Sequence, residues 1–165
     1  GELHAVQKQD CIEIQPLGTG FTWQKESLEE DRQLARSGWE KAKEYARAIK
    51  NEDPHYMDKE FAKTTKYGGV IVPPTFAVVF SGHLSMPFFF DPELNLDMAM
   101  LVHGEQAFEF YEVVRPGDVL TTSGAISNIE NKEKLDTVSL EGTTTNQHGK
   151  AVCKATFTFA IRKRG

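Results

Sequence analysis

A chain of 165 residues can bury the core of one domain, and 39% hydrophobic with 26% charged residues is an ordinary globular composition. A formal net charge of −5 argues against a nucleic-acid partner, because a phosphate backbone needs a basic surface. No apolar run approaches the roughly 18 residues of a membrane span, and the sequence shows no signal-peptide pattern of charged residues followed by apolar ones. We therefore expect a cytoplasmic protein without a membrane partner. Cys11 and Cys153 match no zinc or redox spacing; we expect two free thiols, and a disulfide between them stays open.

The N-terminal part predicts an arm followed by a helix. Residues 1–26 show no clear period and contain several turn formers, which predicts an arm with at most one short strand. Ser27 and Glu30 form a capping-box signal, so a helix should begin there. Gly38 could divide this helix, since glycine costs about 1 kcal/mol relative to alanine in a helix interior. Apolar residues at helical spacing predict one buried stripe: Trp39, Ala42, Ala46 and Ile49.

The middle of the chain changes from polar turns to an apolar segment. We expect Pro54 to end the helical region and Asp58 to cap a short helical turn that stops before Gly68. Residues 70–72 read as a short extended run, and two prolines follow. The next segment, residues 76–90, is apolar almost all round, which predicts a buried central helix.

The C-terminal third alternates with period two. The alternation predicts strands at 104–114, 119–130, 135–146 and 151–161, with turns at 115–118 and 146–149. Helical material followed by consecutive antiparallel strands indicates an α+β domain whose sheet closes over one apolar helix. We therefore expect one domain over residues 27–165 after the arm.

Several segments carry a family resemblance. The stretch YARAIKNEDPHYMDKEFAKTTKYGGVIVPPTF (45–76), with LVHGEQAFEF (101–110), RPGDVL (115–120) and NQHGKAVCKATFTFAIR (146–162), resembles the N-terminal-type domain of MaoC-like dehydratases. The resemblance implies a hotdog fold, an antiparallel sheet wrapped around a central apolar helix. It also implies hydration or dehydration of 2-enoyl or 3-hydroxyacyl thioesters carried on coenzyme A (CoA) or acyl carrier protein, with no cofactor.

The chain departs from this family at the catalytic pair. Active members carry Asp-x-Asn-Pro-x-His, and alignment on Pro54 puts Asn51 at the aspartate position and Tyr56 at the histidine position. Asparagine exchanges no proton near neutral pH, and a tyrosine with an ordinary pKa of about 10 is a poor base. The two residues could still orient water or substrate, or could instead terminate the helix and pack beneath the turn. Asp53 and His55 suggest a shifted pair, but an extended turn would aim His55 away from the pocket.

The thioester-binding part of the site is also altered. Active members usually have His-Gly before the central helix, whereas this chain has Pro73 and Pro74. The amides of Thr75 and Phe76 and the Thr75 hydroxyl then remain as donors for the thioester oxygen. A plain helix start is the competing interpretation. The predicted substrate-binding residues are Gly69, Pro74, Thr75, Phe76, Asp53 and His55.

His103 and Glu105 form a further polar cluster, which resembles a motif near the family's subunit contact. The two side chains could pair, raise the pKa of the histidine and face a neighbouring subunit's pocket, or could simply satisfy one another at a strand edge. No metal-ligand cluster, Walker loop, dinucleotide fingerprint or GxSxG motif occurs, so we expect no metal and no cofactor.

The preferred hypothesis is the substrate-binding half of a hydratase or dehydratase that pairs with a catalytic hotdog subunit. One alternative is a self-sufficient homodimeric (R)-specific enoyl-CoA hydratase or 3-hydroxyacyl dehydratase using His103 and Glu105. Another is a non-catalytic acyl-thioester-binding protein. Every version predicts a homodimer or a heterodimer, because an isolated hotdog sheet leaves an edge exposed.

Overall fold

The computed structural model describes residues 12–14, 28–90 and 96–163. The helices are α1 (Leu28–Ala48), α2 (Pro54–Met57), α3 (Lys59–Thr64), α4 (Ala77–Ser81) and α5 (Ser85–Phe90). The strands are β1 (Ile12–Ile14), β2 (Leu101–Phe110), β3 (Thr121–Asn131), β4 (Leu135–Thr145) and β5 (Ala151–Arg162). Short 3₁₀ turns cover Pro74–Phe76, Gly82–Leu84 and Met98–Met100.

The strands form one sheet in the order β1-β3-β4-β5-β2, and every neighbouring pair is antiparallel. This confirms the predicted α+β class and the antiparallel sheet. The predicted strand at 104–114 is shifted, because pairing with β5 begins at Leu101 and the strand ends at Phe110. The arm supplies β1, whose Ile12 pairs with Gly124 of β3, while the proposed boundary between residues 26 and 27 stays a prediction.

Helix α1 begins directly after Ser27, as predicted, although the Ser27 cap itself lies outside the described residues. The helix passes through Gly38 without a break. Ala42 and Ala46, on the following turns, are fully buried. Their burial stabilises the helix and offsets the low helix propensity of one glycine. The prediction that Ile49 belongs to this stripe was wrong. It lies beyond the helix end and is 41% exposed.

A Schellman motif ends α1. Lys50 adopts a left-handed φ of 56°, and the amide of Asn51 donates to the carbonyl of Ala46 at 2.9 Å. The expectation that Pro54 ends the helical region was wrong, because Pro54 instead takes the first position of α2, where a missing N–H is harmless. The predicted Asp58 cap is present and accepts hydrogen bonds from two amides of α3 at 2.8 and 3.0 Å.

The apolar segment after Pro74 packs on one face of the sheet but is not one continuous helix. It breaks between α4 and α5 at the Gly82–Leu84 turn, since Gly82 has low helix propensity and Pro87 has no N–H for the preceding turn. The core that it closes combines helical and strand residues: Leu84, Phe88, Val138, Leu140, Ala155, Phe157, Phe159 and Ile161. No helix in the described part of the chain is long and apolar enough to cross a membrane.

The approach of this segment to the sheet depends on two facing glycines. Gly124 of β3 and Gly142 of β4 are opposite one another. A Cβ on Gly142 would lie 2.6 Å from Leu84 Cδ2, and one on Gly124 would lie 2.9 Å from Leu84 Cδ1. The side chain of Leu84 therefore occupies the space that larger residues would fill.

Candidate functional site

A cavity of about 380 Å³ lies between the α2 region and the end of β2. Its walls are mostly apolar and come from residues 71–74, 110–114 and 152–153, together with Phe80. Backbone hydrogen bonds join these walls: Ile71 donates to His55 at 3.2 Å and Val72 donates to Val114 at 2.8 Å. Six side chains add polar groups to the lining: His55, Tyr56, Tyr67, Tyr111, Glu112 and Cys153. Cys153 is a buried free thiol whose pKa is raised by burial.

Asn51 and Tyr56, the two positions aligned with the family's catalytic pair, lie close together. The Asn51 side chain is near enough to the Tyr56 hydroxyl to influence its pKa, and Tyr56 lines the cavity rather than packing beneath the turn. Burial chiefly raises the pKa of Tyr56, the nearby Asp53 and Tyr67 raise it further, and the polar Asn51 side chain opposes them. A phenol in this setting stays protonated near neutral pH, so the pair can form hydrogen bonds but provides no base.

Asp53 and His55 form a second pair in the same turn. Asp53 caps α2 by accepting the His55 amide at 2.8 Å, and its Oδ1 lies 2.5 Å from His55 Nδ1. The amide hydrogen bond, and then the bond to the ring, lower the pKa of the Asp53 carboxyl. The expectation that His55 points away from the pocket was wrong. Residues 54–57 are a helical turn, in which neighbouring side chains diverge by about 100° rather than 180°, so His55 and Tyr56 both reach the cavity.

The residues expected to bind the thioester oxygen are only partly assembled. Pro74 lines the cavity, whereas Gly69, Thr75 and Phe76 lie outside its lining as the described residues define it. The Phe76 amide donates to the carbonyl of Pro73 at 2.9 Å, so the expectation that it is a free donor was wrong. Thr75 is exposed, and its carbonyl accepts the Tyr45 hydroxyl at 2.9 Å.

The sequence did not reveal that Tyr67 lines the cavity or that Arg115 contacts the Tyr67 loop. A guanidinium nitrogen of Arg115 donates to the Tyr67 carbonyl at 2.6 Å, which holds the loop before Gly69 against the cavity. The Arg115 amide is itself bonded to the Asp118 carboxylate at 2.8 Å. The RPGD sequence signalled only a turn, and no local pattern connects a turn residue to a loop nearly fifty positions earlier.

His103 and Glu105 do not form the expected side-chain pair. A bulge separates them in β2, and His103 Nε2 lies 3.2 Å from the backbone carbonyl of Glu105 rather than from its carboxylate. The His103 ring lies against Phe159 and Phe157, with centroids 5.1 and 5.9 Å away. Neither residue lines the cavity of this chain, and a role toward a neighbouring subunit stays a prediction.

Strand β2 pairs with β5 on one side and with no strand of the described residues on the other. Large apolar side chains are exposed along it: Val102, Phe110 and the following Tyr111 are each about half exposed. The side-chain nitrogen of Gln106, on the same strand, is buried without a hydrogen-bond partner among the described residues. The described residues also contain no group of three or more His, Cys, Asp or Glu side chains that could hold a metal ion.

Comparisons with known proteins agree with this geometry. Residues 37–155 match the family model described as "FAS1-like, dehydratase domain region". A UPF0336 protein of Saccharopolyspora erythraea is 37% identical over 76% of this chain and 80% of its own length. Among solved structures, the C-terminally truncated HadBC (3R-hydroxyacyl-ACP dehydratase) complex of Mycobacterium tuberculosis is 28% identical over 74% of this chain and 86% of that chain, with a TM-score of 0.65. A MaoC-like dehydratase is 26% identical over 75% of this chain and 38% of that chain, with a TM-score of 0.68.

Proposed function

Since the chain belongs to the FAS1-like dehydratase-region family of MaoC-like hotdog dehydratases, we propose that it is the substrate-binding half of an acyl-thioester hydratase or dehydratase. The substrates are 2-enoyl or 3-hydroxyacyl thioesters of CoA or acyl carrier protein. A second hotdog subunit with an intact Asp-x-Asn-Pro-x-His motif supplies the proton transfers.

One observation carries this proposal: a mostly apolar cavity lies at the catalytic-pair positions, although these positions provide no base. Hydration puts the oxygen of water on C3 and a proton on C2, which requires a base for the water and an acid for the carbon. Asn51 cannot ionise, and the raised pKa of Tyr56 keeps its phenol protonated, so neither side chain supplies the base near neutral pH. The mostly apolar walls, in contrast, offer a place for an acyl chain, and six polar side chains are also in the lining.

The open edge of the sheet supports a partner subunit. An edge strand with half-exposed Val102 and Phe110 invites pairing with another chain, and such pairing would cover the apolar side chains. The similar Mycobacterium tuberculosis structure is a HadBC complex, which supports assembly with a second hotdog subunit here.

Binding can be tested separately from turnover. We expect the chain alone to bind crotonyl-CoA more tightly than CoA in calorimetry, because the cavity holds the acyl part. Val113→Trp fills the cavity and should remove this preference. Val119→Trp is the matched control, since Val119 is exposed and lies outside the lining. Equal binding of crotonyl-CoA and CoA by the wild-type chain would contradict the proposal.

The Asp53–His55 pair favours one alternative, a self-sufficient homodimeric hydratase. An imidazole held by a carboxylate at 2.5 Å can act as a base, and this one lines the cavity. In that case the chain alone would hydrate crotonyl-CoA, and His55→Gln would abolish the turnover.

A further inference from the structure

The two ring nitrogens of His55 have different surroundings. Nδ1 lies 2.5 Å from Asp53 Oδ1, and the same carboxylate accepts the His55 amide at 2.8 Å. Hydrogen bonds from His55 lower the pKa of Asp53, so its carboxylate is ionised near neutral pH and can only accept. In a neutral ring the proton therefore lies on Nδ1, and Nε2 carries an open lone pair.

Two aromatic side chains hold the His55 ring in place. Phe61 and Tyr67 stand edge-on to the His55 ring, with centroids 5.2 and 5.8 Å away. No described residue hydrogen-bonds Nε2, although the residue lines the cavity. A hydrogen-bond donor bound inside the cavity would satisfy this nitrogen.

Other polar groups also line the cavity. The carbonyl of Tyr67 already accepts a hydrogen bond from Arg115 at 2.6 Å. The hydroxyls of Tyr56 and Tyr67 and the carboxylate of Glu112 are among the competitors for a bound donor, so a test must separate them from His55.

This step rests on the proposed function, which puts an acyl thioester in the cavity. Saturated and 2-enoyl chains carry no donor on their acyl carbons, whereas a 3-hydroxyacyl chain carries one O–H. We propose that His55 Nε2 accepts a hydrogen bond from the 3-hydroxyl of a 3-hydroxyacyl thioester, so that the cavity selects the hydrated form. Asp53 is a positioning residue, because it fixes the tautomer and the orientation of the ring.

The test compares (R)-3-hydroxybutyryl-CoA with butyryl-CoA by calorimetry on the full chain. We expect the hydroxyacyl thioester to bind about three- to tenfold more tightly, the ratio that one neutral hydrogen bond gives. His55→Phe keeps an aromatic ring beside Phe61 and should reduce the ratio to about one. His148→Phe, in the exposed turn between β4 and β5, is the matched control and should retain the preference.

Nitrogen-15 NMR of the histidine rings gives a readout that a purely structural role would not change. We expect the Nδ1–H tautomer for His55, its loss in Asp53→Asn, and a shift of the Nε2 resonance with (R)-3-hydroxybutyryl-CoA but not with butyryl-CoA. Equal affinities in the wild-type chain, or a preference that is kept in His55→Phe, would overturn this inference alone. Failure of both thioesters to bind would overturn the proposed function as well.

Discussion

The side chains of Asn51 and Tyr56 lie close together at the cavity, in the two positions where active relatives hold an aspartate and a histidine. Burial and the charge of Asp53 favour the neutral phenol of Tyr56, and Asn51 cannot ionise. The pair can therefore orient a ligand but provides no base for water. This is why proton transfer is assigned to a second chain in the proposed function.

The raised pKa of Tyr56 predicts a measurable titration. The folded chain holds the phenolic proton more tightly than the unfolded chain does, so this contribution to stability is complete below the unfolded pKa of about 10. It is lost as pH rises through the folded pKa. Phenolate absorbance, with Tyr56→Phe to identify the residue, should show a pKa above the ordinary value, lowered in Asp53→Asn and raised further in Asn51→Ala. An ordinary pKa for Tyr56 would contradict this account of its surroundings.

Thr75→Val tests the proposed thioester contact. If the exposed hydroxyl donates to the bound thioester, its loss should weaken acyl-CoA binding by about 0.5–1.5 kcal/mol with little change in stability. Calorimetry measures the affinity, and Thr64→Val on exposed α3 serves as the matched control. Unchanged affinity in Thr75→Val would remove Thr75 from the site.

Gly124→Ala tests the contact between the sheet and the central segment. A Cβ there would overlap the backbone carbonyl of Glu141 and lie 2.7 Å from Gly142 Cα, and backbone atoms cannot move away cheaply. We expect a loss of about 1–3 kcal/mol or more in the free energy of unfolding, measured with urea. Gly104→Ala is the control, because its Cβ would lie 3.5 Å from the nearest backbone oxygen. Equal stabilities of the two variants would contradict this expectation, because the sheet would then accommodate a Cβ at Gly124 without cost.

Val102→Lys tests the edge of the sheet as the assembly surface. Val102 is 52% exposed on β2, and a lysine on an edge strand opposes pairing with another chain. Light scattering should show a dimer or a higher even oligomer for the wild-type chain and a smaller species for Val102→Lys. Ile126→Lys, at a 40% exposed position on β3, should leave the assembly intact. A wild-type chain that stays monomeric at micromolar concentration would contradict this assembly.

The parts of the fold that could be predicted are those with a local cause. Alternation along β5 puts Phe157 and Phe159 on one face, and the Asp58 cap follows from residue type and spacing. The uninterrupted course of α1 through Gly38 could not be predicted, because it depends on burial against distant residues.

The site was harder to predict, because the local backbone conformation decides where its side chains and amides point. The sequence of residues 54–57 predicts an extended turn, in which His55 would point away from the cavity, whereas these residues are helical. The Phe76 amide was expected to be free, but the 3₁₀ turn bonds it to Pro73. The contact between Arg115 and Tyr67 joins distant parts of the chain and leaves no periodic signal in the sequence.

Turnover of crotonyl-CoA, followed as loss of enoyl-thioester absorbance, tests the division of labour most directly. The samples are the chain alone, the chain with a hotdog partner that carries the intact Asp-x-Asn-Pro-x-His motif, and the same pair with the partner's motif histidine replaced. We predict little or no turnover by the chain alone and an increase of about 10²–10⁴-fold with the intact partner only, the usual contribution of positioned acid–base groups. Robust turnover by the chain alone, lost in His103→Ala or in His55→Gln, would contradict the substrate-binding half and establish a self-sufficient homodimeric enzyme instead.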